Sequence, residues 1–369
     1  MLDTLWYDSV FFSFNHFRDS LWTREAEGDP QPSMSAAQLP SSLRQQLSKA
    51  LDGFLKTSPQ TSSTSSGTSP RLSIVYQSQT SWPFSSHHAR TPSSSPVDVA
   101  VLDSSFNPPH LAHLALASSP PLLSSAKQQQ RHYGAHLLLL SSRNADKGTG
   151  KTGDASTLQR LEMMVVLAKD LEAKLAADNA AASSGSDDVD VKQPNVAVGI
   201  CEEPLMKDKS TIVHEWLHTS HQAIPSRSAR LHWVVGWDTL IRFFALKYYP
   251  SLQAFEEACQ RFFVEEGTTF VCARRDVAAQ ARARGEEASE GGDQDEENRF
   301  LQSDLVKPWV EHKSVAMFDL PVEARHVNST DIRNICRDDN EGEKAKKLVE
   351  KKLCTEALAS FVVDEGIYQ

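Results

Sequence analysis

The stretch DSSFNPPHLAHLALA, residues 103–117, sets two histidines three residues apart just after the apolar run VDVAVLD. At that spacing His110 and His113 share one helical face. Pro109 suits the first turn, where a missing N–H costs nothing, and the pattern points Leu111, Leu114 and Ala115 at a sheet. A helix start offers free N–H groups and a positive dipole end, so imidazoles there can join an anion site and donate to phosphate oxygens. Alone, the pair reads more simply as solvent-facing. Zinc is disfavoured, because metal pairs on helices prefer i, i+4 spacing and no third ligand is apparent. A second feature changes the weighing. In NSTDIR, residues 328–333, Ser329 and Thr330 are good cap residues and Arg333 lies one turn in. Two hydroxyls and a guanidinium fork at a helix start form a second phosphate grip.

Positioning such groups requires a scaffold, and the chain alternates in a way that supplies one. Strand-like runs fall at 97–103, 136–142, 196–200, 231–238, 268–275 and 314–320, with helical patterns between most of them. The clearest helix starts at residue 156, where Ser156 and Gln159 form a capping box. Near-continuous apolar strands alternating with helices predict an α/β fold with a doubly wound parallel sheet covered on both faces. Ligands then bind at strand exits. That rule selects Asp103 to His113, Arg143 to Lys151, Cys201 to Lys209, Gly236 to Asp238, and Arg274 to Arg275.

Residues 1–38 read as a disordered extension, dispensable for nucleotide binding, and 39–96 as an added helix (with Leu43, Leu47, Leu51 and Leu55 in helical spacing) and a Ser/Thr/Pro-rich linker. RLSIVYQS fits a short added strand. The main domain is expected over 97–369, with flexible inserts near 178–194 and 278–300. The formal net charge of −10 over 369 residues argues against a general nucleic-acid or anionic-membrane binder. No run approaches the roughly 18 apolar residues of a membrane helix. Five scattered cysteines without a CxxC pair fit a reducing compartment. The expected location is cytoplasmic, nuclear or both, and a homo-oligomer is left open.

Taken together, the motifs point to a family. SSFNPPHLAH (104–113) resembles the GSFNPxxxxH and (H/T)xGH signature of the nucleotidyltransferase superfamily, VNSTDIR (327–333) its ISSTxIR motif, and GWDTL (236–240) its GxD motif. Their order and spacing resemble the nicotinamide mononucleotide adenylyltransferases, in a divergent, fungal-type branch, across roughly residues 97–369. SSRNADKGTGKTGDASTLQRLEMM (141–164) is similar to the family's lysine-bearing loop and following helix, and ASFVVDEGIYQ (359–369) to its terminal helix and tyrosine. The resemblance implies a Rossmann-like fold and adenylyl transfer from ATP to a mononucleotide, with Mg²⁺ held mainly by ATP phosphates. It assigns transition-state stabilisation to His113, assisted by His110. It assigns ATP binding to Ser104, Ser105, Phe106, Gly236, Asp238, Ser329, Thr330 and Arg333, and acceptor binding to Lys147, Lys151, Glu202 and Tyr249, with no protein metal ligands.

The departures from the family are specific. Ser104 stands for its first glycine, Ala112 for the glycine of HxGH, and Asn328 for a serine. Cys201 and Tyr249 stand where two tryptophans flank nicotinamide, and Trp237 is expected to crowd the pocket beside the GxD motif. The triphosphate side is better kept than the acceptor side. The alternative is therefore a nucleotide-binding regulatory protein or slow ATPase that retains the ATP site. Two rival motifs are weaker. ADKGTGKT (145–152) is one residue from a Walker A loop, but Ala145 replaces its first glycine and Gly153-Asp154 interrupts the helix start. HEWLH (214–218) mimics a zincin helix without a third ligand nearby.

Overall fold

A computed structural model of the chain describes residues 39–57, 71–84, 96–123, 132–142, 153–183, 193–220, 228–274, 292–338 and 343–369. The expectations for residues 1–38, for Lys147 and Lys151, and for the Walker-like loop lie outside these described residues.

Seven strands form one sheet: β1 (Leu72–Gln77), β2 (Val97–Asp103), β3 (Ala135–Ser141), β4 (Val196–Cys201), β5 (Ala229–Gly236), β6 (Thr269–Ala273) and β7 (Val315–Phe318). Their order is β1-β4-β3-β2-β5-β6-β7. All neighbours pair in parallel except β1, which lies antiparallel on the edge beside β4. The central strands are apolar because both faces are covered: six of the seven residues of β3 and all six of β4 are buried. One face carries a core with Leu161, Met164, Leu171, Phe361 and Val362; the other carries Trp233, Phe243, Phe262 and Phe270.

The helix before β1 packs on this body. Helix Ser41–Thr57 buries Leu47, Leu51 and Phe54 in the first core, on the expected helical spacing but with Leu55 exposed. The last part of the acidic insert is also ordered as helix Gly292–Leu301.

The chain winds from β2 out to β3 and β4, then returns across the sheet to β5, which pairs with the other side of β2. Strand order therefore reverses between β2 and β5. In a doubly wound sheet this switch point opens a crevice at the carboxyl ends of the strands. Asp103 and Gly236 close the two strands that flank it.

Candidate active site

Residues 104–109 leave β2 as a tight loop. Its Phe106 is fully buried at φ 44°, the left-handed region that costs a bulky residue strain. The helix after it starts at Leu111 with His110 as its N-cap, so Pro109 lies before the first turn and not in it as expected. The buried face is Ala112, His113, Leu116 and Ala117; Leu111, Leu114 and Ala115 are only half-buried. The expected apolar face is thus rotated. Packing of His113 beneath Phe106, with ring centroids 5.0 Å apart, takes the sheet-facing position.

The two histidines come together, with ring centroids 3.7 Å apart. The His110 backbone N–H donates to His113 Nδ1 at 3.1 Å, so that nitrogen is the acceptor. A neutral His113 therefore carries its proton on Nε2, which reaches Ser104 Oγ at 2.8 Å. Burial pushes the His113 imidazole down to about 3. It pushes His110 well below its usual range too, with the neighbouring His113 adding to the effect. The His110 Nδ1 is buried without a hydrogen-bond partner. The pair is a neutral donor set rather than a charged one.

Helix Ser329–Arg337 meets this loop directly. Its cap is Asn328, whose Oδ1 accepts from Asp331 N at 3.0 Å, rather than Ser329 or Thr330. The amide caps as well as a hydroxyl does, and it leaves both hydroxyls for other work. Ser329 Oγ donates to the Pro108 carbonyl at 2.7 Å. Arg333 donates to Thr330 Oγ1 at 3.0 Å and to the Asn107 carbonyl. The two motifs, more than 200 residues apart in sequence, are thus joined by two side-chain-to-backbone bonds.

Asn107 is the centre of the arrangement, and sequence reasoning missed it. Its Nδ2 donates to Asp154 Oδ1 at 2.7 Å, while its Oδ1 accepts from Ala155 N at 3.0 Å and from the Tyr368 hydroxyl at 2.8 Å. The turn at 153–156 is fixed further by Arg337, which donates to the Gly153 carbonyl at 2.8 Å. Gly153 has φ 87°, and a Cβ there would sit 2.9 Å from the Arg337 guanidinium, so the turn needs glycine. The capping box then launches helix Thr157–Ser183: Ser156 N donates to Gln159, and Gln159 N to Ser156.

Asp103 and Lys209 each fell in a strand-exit stretch selected from the sequence, but their pairing was not legible there. Lys209 Nζ lies 2.6 Å from Asp103 Oδ2, and both side chains are largely buried. Lys209 enters from the first turn of helix Met206–Ser220, on the same buried face as Ile212, Val213 and Leu217. A lysine on an apolar helix face was the available signal.

The remaining candidates are dispersed around the strand exits. Ser105 is exposed in the loop. Gly236 caps helix Trp237–Phe243, with open space where a Cβ would lie, and Asp238 is exposed in its first turn. Glu202 follows β4, its N–H donating to the Arg71 carbonyl at 3.3 Å. Tyr249 donates to the Phe243 carbonyl at 2.7 Å and sets its ring edge-on to Phe255 at 5.1 Å, so the second core holds it. Cys201 is fully buried, and burial pushes its thiol up to about 12. Trp237 does not crowd the crevice as expected: it is buried in the second core, edge-on to Phe300 at 5.1 Å. The strand ends at Gly236, so Trp237 falls on the buried side of the next helix.

His214 of the HEWLH segment reaches Thr268 Oγ1 at 3.1 Å, a core contact. Among the described residues, no group of three His, Cys, Asp or Glu could hold a metal ion, and no helix is long and apolar enough to cross a membrane.

Among known proteins, the chain is 32% identical over 179 residues to a Schizosaccharomyces pombe protein named "Putative nicotinamide mononucleotide adenylyltransferase". The match covers 48% of this chain and 54% of that protein, so the chain spans about half the length of its curated relative. No protein-family model matches the sequence. Two solved structures of Plasmodium falciparum nicotinic acid mononucleotide adenylyltransferase, complexed with NaAD and with APC, superpose with TM-scores of 0.38 and 0.35. Each is 10% identical and covers 74% of this chain and 97% of its own, a likeness too loose to carry a functional argument.

Proposed function

We propose that this chain is an adenylyltransferase that joins ATP to nicotinamide mononucleotide or a closely related mononucleotide. In this reaction an acceptor phosphate oxygen attacks the α-phosphorus of ATP. The bond from that phosphorus to its β-bridging oxygen breaks, and the electron pair leaves with pyrophosphate. Such a displacement needs positioning and charge stabilisation rather than a covalent nucleophile. His113 would donate its Nε2–H to a non-bridging oxygen on the α-phosphorus, exchanging Ser104 for substrate, with His110 beside it. Ser105 and Phe106 would line the phosphates, and Ser329, Thr330 and Arg333 would hold the β- and γ-phosphates. Gly236 and Asp238 would take the ATP ribose. Lys147, Lys151, Glu202 and Tyr249 would serve the acceptor. Mg²⁺ would be held mainly by the ATP phosphates and would offset their negative charge.

The observation that carries this reading is the direct contact of loop 104–109 with helix Ser329–Arg337, beside a histidine whose Nε2 proton is held ready. The test is pyrophosphate release by the full chain with ATP, Mg²⁺ and a panel of mononucleotides. His113→Ala should lower turnover about 10²–10³-fold with a modest loss of ATP affinity. A second reading, a regulatory nucleotide binder, is favoured by the buried Cys201 and the core-held Tyr249. ATP binding without pyrophosphate release for any acceptor would establish that reading instead.

A further inference from the structure

Two residues other than glycine sit at left-handed φ at the two ends of one short connection. Phe106 has φ 44° and Tyr368 has φ 77°. Between them stands Asn107, next in chain to Phe106, which accepts a 2.8 Å hydrogen bond from the Tyr368 hydroxyl. Conformations of this kind persist only where the surroundings over-determine them, and they concentrate at functional sites. Here the surroundings are explicit. Phe106 is fully buried, and Asn107 is fixed by Asp154, Ala155, Tyr368 and, through its carbonyl, Arg333. Tyr368 is itself buried beside Ile367, after helix Glu356–Asp364. That helix is anchored at its cap, where Thr355 donates to Asp170 at 2.6 Å.

Asn107 Oδ1 has two lone pairs, and both are used. Without the Tyr368 hydroxyl the amide keeps one anchor on its oxygen and one on its nitrogen, both from the turn at 154–155. The loop would then be held against helix Ser329–Arg337 but no longer against the Tyr368 segment. The strained turn at Phe106 supports the His113 ring from one side, and Ser104 supports it from the other. Any relaxation there moves the proposed phosphate donors.

We infer that Tyr368 is a positioning residue of the nucleotide site, acting through Asn107 to hold loop 104–109 in its strained, phosphate-ready form. This inference rests on the proposed transfer reaction for the identity of the ligand. It assigns Tyr368 no contact with substrate.

The test is a double-mutant cycle in the full chain with Tyr368→Phe, Asn107→Ser and both together. Readouts are ATP affinity by calorimetry with Mg²⁺, pyrophosphate release, and melting temperature. Tyr368→Phe removes one buried hydrogen bond, so ATP affinity and turnover should each fall roughly five- to tenfold. The KM of the acceptor should stay put, and Tm should move by no more than about 4 °C. In the Asn107→Ser background the second substitution should do nothing further, since it acts through the missing amide. Tyr368→Phe that lowers Tm but leaves ATP affinity and turnover unchanged would overturn the inference, as would losses that multiply in the double variant. Where Asn107→Ser fails to fold, Tyr368→Phe decides alone: an unchanged His113 imidazole resonance would refute the latch, and a shifted one would support it. A parent that binds ATP but releases no pyrophosphate would defeat the transfer reading only, because the affinity cycle still measures the latch.

Discussion

Acidification from about pH 7.5 to about 5.5 is expected to remove roughly 3 kcal/mol of folding stability through His113 and His136 together. Both imidazoles are nearly inaccessible, at 7% and 2% exposure, and burial pushes each down to about 3. An unfolded histidine titrates near 6.5. The folded state therefore binds fewer protons than the unfolded chain below that point. The stabilising contribution is complete above pH 6.5 and declines as pH falls below it. Over this window each ring contributes a loss of about 1.4 kcal/mol, from the difference between protonating it freely and not at all. His110, lowered by burial, and His214, lowered to about 4, add in the same direction. Burial raises the carboxyls of Asp170, Glu172 and Glu266, which oppose the trend at lower pH. The assay is urea denaturation at both pH values for the parent and for His136→Phe. His136 is the second residue of β3, beside the Tyr133 ring, at the sheet end opposite the candidate site. The variant should lose about 1.4 kcal/mol less than the parent on acidification. A parent that loses under about 1 kcal/mol, or a variant that keeps the full slope, would refute the argument. Turnover per folded molecule should also show no inflection from His113 in this range.

Two substitutions probe the surroundings of the site. Lys209→Met strands the nearly buried Asp103 carboxylate and should destabilise the fold by about 3–5 kcal/mol in chemical denaturation, with Asp103→Asn in the same chain recovering much of it. A loss below about 1 kcal/mol would mean that the pair behaves like a surface bridge. Trp237→Ala should empty part of the second core beside Phe300 and cost about 3–5 kcal/mol without raising turnover. Higher turnover with a retained melting temperature would return Trp237 to the crevice.

Short-range patterns in the chain carried local information. The apolar runs located all six parallel strands to within a few residues, because a strand covered on both faces must be apolar along its length. The Ser156–Gln159 box was legible because a cap and its partner lie three residues apart. The histidine pair and NSTDIR marked two candidate phosphate grips for the same reason: each is a short pattern with its own chemistry. Tertiary structure decided how these pieces serve one another. The sheet order set β2 between β3 and β5, which placed the loop at a switch point. Packing rotated the histidine helix, chose the His113 tautomer and gave the cap to Asn328, freeing Ser329 for Pro108. Asn107 meets Tyr368 across 261 residues, and Asp103 meets Lys209 across 106. No periodicity reports such contacts, since a hydrogen bond between distant elements depends on where the fold carries them and leaves no repeat in the chain.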